Sequence, residues 1–216
     1  MKRSRRTSLV TVLLVAVLAA ILFVPPRGPR SMRQFDAPRM ADLELRMWQA
    51  SYSKTNVRLF ALLVTRLHEQ YHYSWAVAAA EGFHLARAAA RFGDASSNYD
   101  AVLPDLVKAY ATAKSWMGAD FDEQAVARAE LAWWVARRVP GRNSAEAVGG
   151  LIADEYALLY DTPRDLVVSA AMLRAEAAAL RDTEAREPDW DTIGRLLRES
   201  YADLLSALSV RMAWSG

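Results

Sequence analysis

Three stretches of this chain carry the same helical face at gapless offsets of 46 and 45 residues. Val102, Leu106 and Tyr110-Ala111 align with Val148, Ile152 and Tyr156-Ala157, and with Ile193, Leu197 and Tyr201-Ala202. A fainter copy is Leu63, Leu67 and Tyr71. Apolar residues four apart lie on one side of an α-helix, whereas a strand would need alternation, and no window of the chain alternates. Before each full copy stands an alanine-rich helical pattern, as at Leu85–Ala90, Val126–Leu131 and Leu173–Ala178. The chain is therefore expected to be all-α. Turn residues at 93–98, 118–120, 140–143 and 161–163 divide it, and eight helices are predicted near 37–52, 55–72, 74–92, 99–117, 122–138, 144–160, 165–181 and 189–208. Asn143 or Ser144, and Asp165, are expected N-caps, because their side-chain oxygens can accept from unpaired backbone N–H groups.

A small-residue helix followed by a helix bearing a large aromatic fits stacked helical hairpins, in which the tyrosine fills the joint to the next pair. The pattern resembles tetratricopeptide-type repeats over residues 56–208, with a period longer than their usual ~34 residues. That resemblance implies an array of hairpins with an extended concave surface. The segments 43–52 and 128–138 are also similar to an uncharacterised group of bacterial proteins with one N-terminal anchor and a helical body, which implies location and fold only.

Ahead of the helical body stands a basic cluster, Lys2, Arg3, Arg5 and Arg6, then an apolar run from Leu9 to Val24 broken only by Thr11, then Pro25-Pro26. At ~1.5 Å per residue the run rises about 24 Å, short for a hydrocarbon core of about 30 Å but extendable by Thr7, Ser8 and snorkelling basic side chains. The expectation is an uncleaved anchor over 9–24, with residues 1–30 as the anchor unit and 31–216 as an exported helical domain. A cleaved signal peptide is the alternative, since such peptides have apolar regions of about 7–15 residues. Four basic residues before the run against Arg27 and Arg30 after it predict a single pass through the inner (cytoplasmic) membrane, the N-terminus cytoplasmic and the body periplasmic. Ala16 and Ala20, four apart, would suit close contact with a partner's transmembrane helix.

The basic pI of 9.0 belongs to this N-terminus. Of 27 basic and 25 acidic residues, six of the basic ones lie in the first thirty, leaving 21 against 25. An acidic body argues against nucleic acid as a partner. The absence of cysteine excludes disulfides and thiolate zinc sites.

Two patterns could carry metal chemistry. His68-Glu69-Gln70-Tyr71-His72 has the HExxH form, which on a helix places two imidazoles one turn apart for Zn²⁺ with the glutamate as general base. Glu81-Gly-Phe-His84 is a single ExxH of the di-iron type, which needs a second such motif and further glutamates; Glu44, Glu130 and Glu155 are the mid-helix carboxylates available. Both motifs lack a full ligand set, so the expected reading has no cofactor. Histidines near a helix C-terminus are favoured by the helix dipole without any metal. Glu130 is expected to be partly buried, with Arg46, Arg87 or Arg137 as partners. Aromatic and arginine residues mark interface hot spots, which makes Trp48, Tyr52, Trp133 and Trp134 with Arg46, Arg58, Arg137 and Arg138 the candidate recognition patch. The leading expectation is a membrane-anchored, non-enzymatic scaffold or accessory subunit for protein partners in a membrane or envelope complex. The alternative is a metal-dependent enzyme through His68, Glu69 and His72, or through Glu81 and His84.

Overall fold

The computed structural model describes residues 2–183 and 187–212, with side chains described from Val10 to Ser209. Among these the chain is all-helical: α1 Lys2–Phe23, α2 Ala37–Tyr52, α3 Asn56–Tyr71, α4 Trp75–Asp94, α5 Leu103–Met117, α6 Glu123–Ala136, α7 Ala145–Leu159, α8 Arg164–Arg181 and α9 Trp190–Met212, with a 3₁₀ turn at Tyr99–Val102 before α5. Local chemistry sets the boundaries. Asp36, Ser74, Asp122 and Ser144 each accept from a backbone N–H in the first turn of the helix they precede. Asp165 does not act as a cap; α8 starts after Pro163, whose fixed φ suits a helix entry. Gly118 ends α5 in the left-handed region at φ 61°.

Among the described residues, α-helix backbones approach closely between helices adjacent in sequence and in two further pairs, α2 with α9 and α1 with α4. The eight helices α2–α9 thus form a closed circuit. This differs from a stacked hairpin array, where alternate helices also pack on each other. The reason is the short connections, which return each helix along the last, and the fit of α9 beside α2. Interhelical packing is tightest at α7 and α8. Ala170, Ala171, Ala175, Ala177 and Ala178 are buried on α8, and a Cβ at Gly149 of α7 would stand 3.2 Å from the Met172 Cα. Small residues let these backbones approach, as the alanine-rich pattern suggests.

Alternating direction gives the circuit two ends. The even-numbered helices start at one end, where the odd-numbered ones finish, and this proximal end receives the linker from α1. Arg33 in the linker donates to the backbone carbonyls of Tyr160 and Leu208, Phe35 meets Tyr201 edge-on at 5.9 Å, and Arg30 stacks over Trp116 at 4.2 Å. The linker is a strap across the proximal end.

Helix α1 approaches the circuit at α4. Its described side chains, Ala16 and Ala20 among them, are exposed, and the large apolar ones from Val10 to Phe23 range from 40% to 67%. Among the described residues no helix is long and apolar enough to cross a membrane. The stretch of α1 whose side chains are described, Val10–Phe23, rises about 21 Å, and the side chains of residues 2–9 lie outside the described set.

Candidate functional site

The repeated tyrosines meet. Tyr71, Tyr110, Tyr156 and Tyr201, from α3, α5, α7 and α9, all line one interior cavity of about 150 Å³. They do so because they occupy corresponding places on the odd-numbered helices, which all point the same way around the circuit. The sequence reading put them in joints between successive hairpins; they stand instead around one shared centre.

Charged groups accompany them. Glu81, Glu130 and Glu155 line the cavity with Arg66 and Arg174, and Glu44 of α2 is buried behind them at 1% exposure. Arg174 grips one Glu44 oxygen through Nη2 at 2.7 Å and Nε at 3.1 Å, while the Tyr201 hydroxyl donates to the other oxygen. Burial alone would raise the Glu44 carboxyl. The charges of Arg174 and Arg66, with the hydrogen bonds from Arg174 and Tyr201, outweigh burial and hold Glu44 below the usual carboxylate range.

The second cluster behaves in the opposite sense. Tyr110 Oη lies 2.8 Å from Glu130 Oε2 and 3.2 Å from Glu155 Oε1, and Trp133 Nε1 donates to Glu155 Oε2 at 2.5 Å. One hydroxyl has one proton, so both Tyr110 contacts are hydrogen bonds only when one carboxyl retains its own. Burial, then the charge of Glu155, pushes Glu130 up to about 8, against the hydrogen bond from Tyr110 and the more distant arginines. Burial also raises Glu155, against Arg174 and its hydrogen bonds. The pair therefore shares a proton near neutrality. Burial likewise pushes Glu81 up to about 8, with Tyr73 and Arg66 acting the other way. Tyr73 and Glu81 face each other, yet neither Tyr73 Oη nor Glu81 Oε2 completes a hydrogen bond.

The metal-type motifs do not assemble. His68 stacks on Trp75 at 3.8 Å, its Nδ1 2.6 Å from the Tyr73 carbonyl oxygen. Glu69 is bound by Arg39 at 2.8 Å, and His72 has left the helix in the left-handed region at φ 55°. Glu81 points into the cavity, while His84 faces Asp105 at 3.1 Å, in a group with Arg87 and Arg91. Among the described residues no group of three or more His, Asp or Glu is arranged to hold a metal ion. The four glutamates singled out for di-iron chemistry do gather around the centre, but with two arginines between them where ligand histidines would be needed. None of Arg46, Arg87 or Arg137 is the Glu130 partner; Tyr110 is.

The proposed recognition patch divides. Trp48 is buried beneath Arg181, which lies 4.4 Å over its ring. Trp133 is buried, hydrogen-bonded to Glu155 and flanked by Arg174 at 5.1 Å and Arg137 at 5.9 Å. Trp134 packs on Phe92 at 5.2 Å. Arg137 pairs with Asp182, and Arg138 stacks over Phe92 at 4.1 Å while donating to the carbonyls of Phe92 and Ala95 at the end of α4. These five hold neighbouring elements together. Arg46 lies 3.6 Å from Asp42 and is partly exposed. Arg58 is exposed, Tyr52 is 53% exposed with its ring edge-on to Trp190 at 5.7 Å, and Val57 is 86% exposed. Tyr52, at the end of α2, and Val57 and Arg58, at the start of α3, sit at the distal end, away from the strap.

Sequence reasoning missed Arg66 and Arg174. The available signal was a charge on an apolar face: Arg66 directly precedes Leu67 of the repeat pattern, and Arg174 lies within the alanine-rich face of α8. The fold and site define a closed all-α circuit around a buried polar centre. In comparisons with known proteins, the chain matches no family model, no curated protein and no solved structure.

Proposed function

We propose that this chain is a membrane-tethered, non-enzymatic accessory subunit, which holds a helical body at the bilayer surface and presents its distal end to a protein partner. The observation that carries this reading is α1. A helix apolar on all faces is stable in an apolar surrounding, and every described side chain of α1 is exposed. Thr7, Ser8 and the basic residues Lys2, Arg3, Arg5 and Arg6 would extend the run toward an inner-membrane span with a cytoplasmic N-terminus. The strap would then turn the proximal end toward the bilayer and the distal end, with Tyr52, Val57 and Arg58, toward a partner in a membrane or envelope complex. Ala16 and Ala20 would meet a partner's transmembrane helix.

Fractionation tests the tether. The full chain is expected to stay in carbonate-washed membranes, and a chain lacking residues 2–26 to be released. Release of the full chain by carbonate would overturn it. A photo-crosslinking residue at position 57 is expected to give one discrete crosslinked species, weakened by Tyr52→Ala or Arg58→Glu; a crosslink unchanged by both substitutions would overturn the distal interface.

A further inference from the structure

Buried polar atoms without partners are rare in folded proteins, and each asks for a physical explanation. Three of them, Arg66 Nε, Tyr73 Oη and Glu81 Oε2, belong to residues lining the same central cavity. Replacing a buried ionic network by packed apolar side chains is often neutral or stabilising, so such a network is poorly accounted for by stability alone. We propose that the central cavity is a binding site for a small monocarboxylate, with the carboxylate held by Arg66 and its short apolar tail packed against Leu63, Leu67 and Leu85.

The geometry carries the choice of ligand. Arg174 is committed to Glu44 through two hydrogen bonds, whereas Arg66 Nε has no partner. A guanidinium presents a planar fork that fits a carboxylate. The cavity lining also includes the apolar Leu63, Leu67 and Leu85, so a ligand with one charged end and one greasy end fills it better than a fully polar anion such as phosphate. Size gives the upper bound: a cavity of about 150 Å³ holds a benzene-sized molecule, which admits butyrate and excludes long fatty acids. Met32 of the strap also lines the cavity, which puts the way in at the proximal end.

The test is calorimetry and thermal unfolding of the full chain in detergent, with sodium butyrate as probe, and sodium phosphate, 1-butanol and sodium chloride at matched ionic strength as controls. Butyrate is expected to bind and raise Tm while the controls do not. Arg66→Gln is expected to weaken butyrate binding at least tenfold, and Glu81→Gln, which keeps a neutral hydrogen-bonding group, to retain it. Should Arg66→Gln fail to fold, Ala109→Val, which fills the cavity from α5 and leaves Arg66 in place, is expected to abolish binding. Absence of any butyrate effect, equal binding of phosphate or butanol, or unchanged affinity in Arg66→Gln or Ala109→Val would each overturn the proposal. None of these outcomes bears on membrane attachment or the distal interface.

Discussion

The Tyr201 hydroxyl donates to the Glu44 carboxylate, joining α9 to α2 where the circuit of helices closes. Arg174 of α8 holds the same carboxylate, so three helices meet on one buried anion.

Glu44→Gln is expected to be among the most damaging single changes. It leaves Arg174 buried with its counter-charge removed, a loss of about 3–5 kcal/mol. Tyr201→Phe deletes one hydrogen bond to a charged group and is expected to cost about 1.5–3 kcal/mol. Denaturant unfolding of the two single variants and the double variant gives the coupling directly. A double variant whose loss equals the sum of the two would show that the Tyr201–Glu44 contact contributes nothing.

The raised carboxyls give a pH dependence of defined sign. Glu81 and Glu130 titrate at about 8 in the folded chain and near the ordinary value of 4.5 when unfolded. Their contribution is complete below about 4.5 and is lost as pH rises through about 8, because the unfolded chain releases these protons more readily. Glu44 works oppositely, losing its contribution as pH falls through its depressed value. Glu81→Gln cannot ionise. Its Tm relative to the unaltered chain is expected to improve from pH 5 to pH 8.5; an equal difference at both values refutes the assignment.

Adjacent glycines of α7 are expected to respond with opposite sign. A Cβ at Gly149 would meet Met172 Sδ at 2.5 Å and the Met172 Cα at 3.2 Å, while one at Gly150 meets only an Arg164 nitrogen at 3.4 Å. Gly149→Ala forces α7 from α8 and should cost about 1–3 kcal/mol. Gly150→Ala should be stabilising by about 0.5–1 kcal/mol through helix propensity. Thermal unfolding of the pair checks both signs.

Arg138 satisfies carbonyls at the end of α4 and covers the Phe92 ring. Arg138→Ala is expected to cost about 1–3 kcal/mol, from hydrogen bonds to a charged group and the lost cation–π contact. Arg138→Lys should recover only part of this, since one ammonium can serve the Phe92 and Ala95 carbonyls but lacks the second guanidinium nitrogen that reaches the Gly93 carbonyl and the planar face that stacks on Phe92. Full recovery by lysine, measured by denaturant unfolding, would place the effect in charge alone.

Local periodicity made the elements legible. The expected span 37–52 coincides with α2, Ser144 caps α7 as expected, and Gly118 ends α5. The repeat also picked out the right tyrosines. Their common destination was not legible, because it depends on α9 meeting α2, a contact that no window of neighbouring residues encodes. The HExxH spacing could not be decided for a related reason: spacing on a helix says nothing of whether the second histidine remains helical, and His72 turns into the left-handed region. Glu44, Glu81, Glu130 and Glu155 were identifiable as mid-helix carboxylates, but the arginines whose charges bear on them, Arg66 and Arg174, come from helices whose relative placement only the closed circuit determines.

Closure also governs what the chain can lose. An open row of repeats can shed a terminal unit and remain a shorter version of itself. In this circuit α9 has two flanking helices, α8 and α2, and removing it opens both interfaces and strips Tyr201 from Glu44. The body therefore has no smaller form: shortening by one helix exposes the charged centre to water.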